Sequence, residues 1–323
     1  MLRRRELLAA GLGLSLVPAA RAAPAYPSRP IKLLHGYAAG GNADTISRVI
    51  GAELAKQLGQ AVIVENQTGA GGTLAAATVA RAQPDGHTLL CALGGHAIAA
   101  AMMEKLPYRP VQDFAMVSLL TAFPMLIVVR ADSPYTSFAQ VLAAARARPG
   151  QLAFGTAGVG TGHHLGGELL ARMASIEWLH VPYRGDAASV TALLAGDVPL
   201  VLAPPPAVLA NLGAGRLRAL AVTGARRWPS MPEIPTVAEQ GVPGYDVRSW
   251  AGLMAPAATP RSIVDRLNEA VQAALSVPAA RKRLEESTGG QVHGSTPEVM
   301  RELVEAEVAR WTRVVREAGI ARA

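Results

Sequence analysis

Disulfide bonds within the chain are excluded, because Cys91 is the only cysteine among its 323 residues. The fold must therefore be stabilised by its hydrophobic core, and the length is sufficient for two domains of ordinary size. Aromatic residues are also scarce, at 4%, which disfavours a carbohydrate site built on clustered aromatic rings. We expect the four tryptophans to pack in the interior: Trp178, Trp228, Trp250 and Trp311.

The sequence lacks the common motifs of nucleotide-binding proteins and hydrolases. Gly-x-x-x-x-Gly-Lys-Ser/Thr, Gly-x-Ser-x-Gly and His-Glu-x-x-His are missing, and no Gly-x-Gly-x-x-Gly follows a strand with an acidic partner downstream. Cys91 lies in the apolar run Thr88–Cys91, where its thiol would not be activated. His164 and Glu168 have helical spacing for a shared metal, but no third ligand is suitably spaced. We therefore predict a non-enzyme without cofactor or metal.

Apolar runs long enough to span a membrane are absent after the N-terminus. The N-terminus itself is typical of an export signal, with basic Arg3–Arg5, an apolar run Leu7–Val17 and the small-x-small site Ala20-Arg21-Ala22. Arg4-Arg5 also fits the twin-arginine pattern, so both that route and the general secretory route stay open. We predict a signal peptide of residues 1–22, cleaved near Ala22, and a periplasmic product.

Charge of one sign is not concentrated along the chain. Cleavage after residue 22 would remove four arginines and one glutamate, which lowers the formal net charge from +7 to +4. The remaining basic residues are scattered, so nucleic-acid binding is not indicated. The small positive excess favours anionic ligands.

Apolar strand-like runs alternate with helical patterns, which is typical of an α/β fold with largely parallel sheets. Asp44, Thr259 and Thr296 are candidate helix N-caps, the last two followed by proline, and the last helix should run from Pro297 to about Glu317. Predicted strands comprise Ile31–Leu34, Ala61–Val64, Thr88–Cys91, Met125–Val129, Leu152–Phe154, Leu179–Val181, Leu200–Leu202 and Leu217–Val222. We expect one lobe from residues 23–123 and 224–323, a second from 124–223, and two connecting hinge strands.

Two glycine-rich segments lie where a predicted strand is followed by a predicted helix. We call Tyr37–Asp44 the first junction and Gly155–His163 the second junction. Glycines allow backbone N–H groups to approach a ligand closely, and a helix N-terminus presents unpaired donors at its positive end. The pair is interpreted either as two halves of a small-anion site, such as one for a carboxylate, or as two ordinary strand–helix turns.

A series of segments resembles one known family over almost the whole chain after residue 25. The segments are Tyr26–Ile31, Ala39–Gly41 with Asp44 and Arg48, Val64–Gly72, Pro84–Leu90, Leu106–Tyr108, Asp113-Phe114, His180–Gly185, Leu217–Thr223, Ile234–Glu239 and Ala255–Pro260. Together they resemble the Bug family of periplasmic solute-binding receptors, which serve tripartite tricarboxylate transporters. The resemblance implies a two-lobed type II periplasmic binding protein, of the Venus flytrap kind, that captures a small carboxylate for a membrane permease.

The resemblance also implies a ligand site at the two junctions and at neighbouring turns. The implied contacts are Tyr37, Ala39, Gly40, Gly41, Asn42, Asp44, Gly95 and His96 on one lobe, and Thr156, Gly158, Gly160, Thr161, Gly162, His163, Tyr183 and Arg184 on the other. Asp44 is interpreted chiefly as structural, Tyr37 either as a wall residue or as a hydroxyl donor, and Arg184 either as a carboxylate partner or as a solvated turn residue. Bulkier residues at Gly40 or Gly160 are predicted to weaken binding without unfolding the lobes.

The chain departs from the family pattern at two places. The first junction commonly ends Gly-Thr/Ser-Asp, whereas this chain has Asn42-Ala43-Asp44, so a hydroxyl is lost and an amide gained. Family members often carry cleft aspartates after the segment matching Gly196–Val198, where this chain has the apolar stretch Pro199–Pro206. We infer a ligand that bears carboxylates and has a less polar middle.

Two other functions stay open on the sequence alone. The receptor could report its ligand to a membrane sensor kinase, instead of or besides a permease. An exported hydrolase that uses His163, His164 and Glu168 with a metal is the less favoured alternative. We expect a monomer, and the sequence leaves open which acid binds.

Overall fold

The computed structural model describes residues 26–37 and 39–322, and for Ala70 the main chain alone. The predicted signal peptide, residues 1–22, lies outside these residues. Within them, no helix combines the length and the apolar character that a membrane span requires.

Eleven strands and ten helices are found in the described part of the chain. The strands are β1 Ile31–His35, β2 Val62–Asn66, β3 Thr88–Leu93, β4 Phe114–Pro124, β5 Leu126–Arg130, β6 Ala153–Thr156, β7 Leu179–Pro182, β8 Val201–Ala203, β9 Leu217–Val222, β10 Arg248–Pro256 and β11 Gln291–Val292. The helices are α1 Asn42–Leu58, α2 Thr73–Ala80, α3 Gly95–Met102, α4 Phe138–Ala147, α5 Gly162–Ala174, α6 Asp186–Ala195, α7 Pro205–Gly213, α8 Arg261–Ser276, α9 Pro278–Thr288 and α10 Pro297–Glu317.

The strands form two mixed sheets. The first sheet has the order β11-β4-β10-β3-β1-β2, in which β3, β1 and β2 are parallel to one another. The second has the order β7-β6-β8-β5-β9, in which β7, β6 and β8 are parallel. The carboxyl ends of each parallel group therefore meet at one edge of its sheet, where ligands bind in open α/β sheets.

The sheets are less parallel than the sequence predicted. Strand β10 pairs antiparallel with both β3 and β4, β11 with β4, and β5 with both β8 and β9. All eight predicted strands are present within one or two residues of their predicted ends. The prediction missed β4, β10 and β11, because β4 and β10 are buried almost throughout and lack alternation, and β11 has only two residues.

Helix starts follow the sequence in one case of the three proposed. Thr296 caps α10 by accepting a hydrogen bond from the Val299 N–H, and the helix ends at Glu317 as predicted. The prediction for Asp44 is wrong: Gly41 is the N-cap of α1, and Asp44 lies in the first turn. The prediction for Thr259 is also wrong, because Pro260 holds the cap position of α8 without a side-chain bond.

The interior accounts for the apolar and aromatic residues. All four tryptophans are buried, and Trp178 stacks on Phe154 with ring centroids 4.3 Å apart. Burial raises the pKa of the Cys91 thiol to about 11, so the thiol stays protonated within β3. Pro205 and Pro206 are the first two residues of α7.

The chain crosses between the two sheets at Met125, and again between β9 and β10. Thr223, fully buried, joins the two crossings. Its N–H donates to the Met125 carbonyl at 3.0 Å, and its own carbonyl accepts from the Val247 N–H at 2.9 Å. Its hydroxyl accepts from the Met125 N–H at 2.8 Å and donates to the Val247 carbonyl at 2.7 Å. One threonine thus connects both segments through main chain and side chain.

Candidate functional site

Three loops that follow the parallel strands β1, β2 and β3 lie in contact at one edge of the first sheet. A Cβ placed on Gly36 would be 2.1 Å from the Cα of Gly72, so these two backbones touch and tolerate no side chain at that point. A Cβ on Gly95 would be 2.4 Å from the Tyr37 hydroxyl. The first junction is therefore packed against two further glycine turns, residues 69–72 and 94–95.

Asp44 holds the first junction in shape. Its carboxylate accepts hydrogen bonds from the Gly40 N–H at 3.0 Å and from Arg48 Nε at 3.0 Å, and it lies 3.3 Å from His35 Nε2. The bond from Arg48 is the main cause that keeps the pKa of Asp44 well below its usual range. Since both carboxylate oxygens have partners inside the lobe, we interpret Asp44 as a positioning residue for the glycines.

The side chains of Tyr37 and His96 pack among the three loops and the start of α3. The Tyr37 ring packs on Gly72, and burial raises its pKa to about 12, so its hydroxyl stays protonated. The His96 ring stacks on Tyr108 and its Nε2 lies 2.8 Å from the Pro110 carbonyl. Burial lowers the pKa of His96 to about 4, which leaves it neutral. The imidazole of His96 is thus engaged in the core.

The second junction is fixed by hydrogen bonds from its own residues. Thr161 is the N-cap of α5: its hydroxyl accepts from the His164 N–H at 3.3 Å and donates to the Gly158 carbonyl at 2.7 Å. The Gly158 N–H donates to the hydroxyl of the buried Thr156 at 3.2 Å. Gly160 has φ 72° and Gly158 has φ 137°, conformations that other residues rarely adopt. The loop is therefore preorganised by its sequence.

Two stacked imidazoles lie beneath the second junction. The rings of His164 and His180 are 4.0 Å apart and nearly parallel. His164 Nδ1 accepts from the Gly160 N–H at 3.2 Å, and His180 Nε2 lies 2.6 Å from the Thr156 hydroxyl. Burial lowers the pKa of each to about 4, with His164 adding to the effect on His180. In the neutral form, His164 accepts the hydrogen bond from Gly160 and His180 shares one with the Thr156 hydroxyl, and both bonds stabilise the loop.

The histidines do not assemble a metal site in the described part of the chain. His164 Nε2 and Glu168 Oε1 are 3.9 Å apart, but no group of three potential ligands is brought together among the described residues. His163 instead faces Asp186, with Nε2 3.5 Å from Oδ1. Burial lowers the pKa of His163 below its usual value.

Tyr183 and Arg184, the two predicted contacts in the turn after β7, differ in burial. Tyr183 is half-buried: its N–H donates to the Thr156 carbonyl at 3.0 Å, and its ring lies against Gly155. Arg184 is exposed and has no ion pair within the described residues. Tyr183 therefore supports the second junction from below, whereas Arg184 has a free guanidinium.

Helix α3 lies between the two junctions, and we call the region where it meets both of them the crevice. Its first residue, Gly95, contacts Tyr37, and its later turns face the other lobe. A Cβ on Gly160 would lie 3.6 Å from Met102 Cγ, and one on Gly162 would lie 3.7 Å from Ile98 Cδ1. Val159, at the tip of the second junction, is 62% exposed despite its apolar side chain. The contact between α3 and the second junction is thus made by the buried apolar side chains of Ile98 and Met102.

The helix ends at this crevice have unpaired donors. In α1 the N–H groups of Asn42 and Ala43, and in α5 those of Gly162 and His163, have no hydrogen-bond partner among the described residues. Unpaired N–H groups at a helix N-terminus attract anions. The site can therefore accept negatively charged oxygen from two sides.

Sequence reasoning missed four residues of this region: Gly71, Gly72, Ile98 and Met102. Gly69–Gly72 carried a readable signal, since it is a third glycine-rich segment between a strand and a helix. Ile98 and Met102 had none, because on a helix with apolar residues all round nothing local indicates the cleft face.

Two α/β sheets joined by two crossings of the chain are the architecture of a two-lobed solute-binding protein. A sequence model of the tripartite tricarboxylate transporter family receptor matches residues 46–320. The chain belongs to this family, a family of substrate-binding receptors, as the sequence resemblance predicted.

Similar proteins were found both by sequence and by structure. The chain is 40% identical over 319 residues to an uncharacterised-family protein from the tcbD-tcbE intergenic region of Pseudomonas sp. strain P51, covering 98% of this chain and 94% of that one. It is 33% identical to BugT of Bordetella pertussis, covering 97% of each. The R. palustris protein Rpa4515, solved with adipate, has a TM-score of 0.83 and 38% identity, covering 92% of this chain and 100% of that one. MatC from Rhodopseudomonas palustris, solved with malate, has a TM-score of 0.79 and 37% identity, covering 90% and 100%. The two-lobed periplasmic binding fold is therefore confirmed.

Proposed function

We propose that this protein binds a small organic acid with two or more carboxylates between its lobes and presents it to a tripartite tricarboxylate-type permease, without chemistry of its own. The observation that carries the proposal is the pair of helix N-termini, α1 and α5, with unpaired N–H groups on one crevice crossed by α3. Two similar receptors, solved with adipate and with malate, support the ligand class.

The walls of the crevice favour a ligand with an apolar middle. Ile98 and Met102 of α3 lie against Gly162 and Gly160 of the second junction, and Val159 of the same junction is exposed. An aliphatic dicarboxylate would place its carboxylates at the helix ends and its methylene groups against these side chains. Each hydrogen bond to a charged group contributes about 1.5–3 kcal/mol. Several of them, less the cost of association, are consistent with micromolar affinity, about −8 kcal/mol.

We also propose the lobe division and the processing of the chain. The membership of the strands supports a first boundary near residue 124. The Val222 N–H of β9 donates to the Pro235 carbonyl, and the Val222 carbonyl accepts from the Val237 N–H. The chain rejoins the first sheet at Arg248. We therefore place the return near residue 247 instead of 223. Cleavage near Ala22, export to the periplasm and a monomeric state are part of the same proposal.

A thermal-shift screen of dicarboxylic and tricarboxylic acids tests the function. A ligand at 100 times its Kd stabilises its receptor by about 2.7 kcal/mol, so the acid that binds should raise Tm. In Gly162→Trp the indole would fill the crevice opposite Ile98, and the shift should disappear. Gly213→Trp is the matched control, because Gly213 is exposed in α7 with nothing within 4 Å of its Cβ position. An unchanged ligand shift in Gly162→Trp would remove the crevice as the site.

A further inference from the structure

A second cavity lies at the crossings between the sheets, distinct from the crevice at the two junctions. Its volume is about 390 Å³, which is within the range of small-molecule sites. The residues that line it are Ala122, Pro124, Gly224, Ala225, Arg226, Arg227, Trp228, Pro229, Arg248, Gly289, Gln291 and His293. None of the junction residues belongs to this set.

The polar side chains that line the cavity are basic or neutral, and none of them is acidic. Three arginines, one histidine and one glutamine contribute to the wall, and neither aspartate nor glutamate does. Among the described residues, Arg226 has neither an ion pair nor a hydrogen bond from its guanidinium. The cavity thus brings together three arginines, and no acidic side chain lines it.

The acidic residues near the cavity are already paired. Asp246 binds Arg248 through both oxygens at 3.0 Å, and Glu239 binds Arg227 Nε at 3.0 Å. In each pair one terminal guanidinium nitrogen keeps no partner among the described residues: Nη1 of Arg248 and Nη2 of Arg227. These pairs orient Arg227 and Arg248 and offset part of their charge, whereas Arg226 has no ion pair among the described residues.

The direction of the pKa shift of His293 indicates a positive electrostatic potential at the cavity wall. Partial burial lowers its pKa, and the positive charges of Arg248 and Arg281 lower it further. Arg281 is itself 3.2 Å from Glu285, so the acid on that side is paired as well. At neutral pH the His293 ring is therefore uncharged, and the attraction for an anion comes from the arginines.

The cavity wall comes from both sides of the crossings. Arg248, Gln291 and Ala122 belong to strands of the first sheet. Trp228 packs in the core of the second sheet, and a Cβ on Gly289 would lie 2.5 Å from Pro205 of α7 and 3.0 Å from Trp228. A ligand held here would connect the two sheets, so its occupancy would resist a change in the angle between them.

We propose that this cavity is a second binding site, specific for a small multiply charged anion held by Arg226, Arg227 and Arg248. The oriented guanidinium groups match carboxylate or phosphate oxygens. Its class of ligand is thus a polycarboxylate or a phosphate compound, recognised independently of the crevice between the junctions.

Calorimetric titration with citrate, and separately with inorganic pyrophosphate, tests the site on the full mature protein. The titrations use the Gly162→Trp background, in which the crevice is filled. We expect saturable binding of at least one of the two probes, weakened about tenfold or more by Arg226→Ala. Arg313→Ala is the matched control: it removes an exposed arginine of α10 that is outside the cavity and has no ion pair in the described structure.

The outcomes separate the second site from the proposed function. Equal affinity in the Arg226→Ala and Arg313→Ala variants, or no heat with either probe up to about 10 mM, would overturn the second site and leave the crevice untouched. If Gly162→Trp fails to fold, the same two variants are compared in the otherwise unchanged protein, where Arg226→Ala should weaken one binding event about tenfold or more and Arg313→Ala none. The preference between citrate and pyrophosphate distinguishes the carboxylate from the phosphate source.

Discussion

At the residue scale, neutral histidines are part of the loop that we place in the ligand site. His164 accepts a hydrogen bond from the Gly160 N–H through Nδ1, a role that a protonated imidazole cannot fill. His180 lies against the Thr156 hydroxyl that supports Gly158. His163, which the resemblance places at the ligand, does not belong to this stacked pair.

Acidification should destabilise the protein through this pair. Unfolded histidines take up protons below about pH 6.5, but the folded pair does so only near a pKa of about 4. The unfolded state therefore binds more protons between these values. From pH 7 to pH 5 the unfolding free energy should fall by up to about 2 kcal/mol for each histidine, and by less for the half-buried His180. Glu168, whose pKa burial raises, offsets part of this loss. Urea denaturation at the two pH values measures it.

His180→Phe separates the histidine pair from other titrating groups. Phenylalanine keeps the stacking but cannot be protonated, so the variant should lose stability at both pH values and show a smaller difference between them. A pH difference equal to that of the unmodified protein would show that the effect arises elsewhere.

At the scale of the element, the capped helices α5 and α10 offer a direct comparison. Both begin after a threonine whose hydroxyl accepts from the backbone N–H three residues on. In α5 the capping hydroxyl also donates to the Gly158 carbonyl and so orders the second junction, whereas the cap of α10 lies far from that junction in the chain. The same local motif therefore serves two purposes.

Loss of each cap should affect stability alike but binding differently. Thr161→Ala and Thr296→Ala should each reduce the unfolding free energy by about 1 kcal/mol. Only Thr161→Ala should weaken binding of the acid found in the thermal-shift screen, because it frees the second junction. Chemical denaturation and calorimetry on both variants measure the two effects, and equal binding by both would contradict a role for the loop.

At the scale of the whole molecule, the crossings between the sheets meet at Thr223. Met125 and Val247 are 122 residues apart in sequence, yet each exchanges hydrogen bonds with the main chain and hydroxyl of this threonine. The second cavity borders the same crossings through Pro124, Gly224 and Arg248. A change in the angle between the lobes would therefore have to bend or break the hydrogen bonds of Thr223.

Thr223→Val tests this junction. The substitution keeps the shape of the side chain but leaves the Met125 N–H and the Val247 carbonyl without their hydroxyl partner in a buried place. We expect a loss of about 1–3 kcal/mol in unfolding free energy, measured by urea denaturation. Thr191→Val is the control, because that hydroxyl binds only the Ala187 carbonyl on an exposed helix face. Equal losses in the two variants would mean that the buried bonds at Thr223 add nothing.

The sequence by itself determined the two junctions, the positions of eight strands, the last helix and the family. These features depend on local patterns: apolar periodicity, caps and glycine between a strand and a helix. These patterns also predicted the two junctions that we propose as the site. They would have predicted the third glycine-rich segment, Gly69–Gly72, which lies between a strand and a helix as well.

Only the tertiary structure decided which of these segments meet. The antiparallel pairing of β4 with β10, the contact of Gly36 with Gly72, the position of Met102 opposite Gly160 and the arginine-lined cavity join residues that are distant in the chain. Such contacts depend on how the buried faces of whole elements fit together, and no local pattern encodes that fit. The chemistry of each half is therefore written in the chain, whereas the crevice and the second cavity exist only once the two sheets are joined.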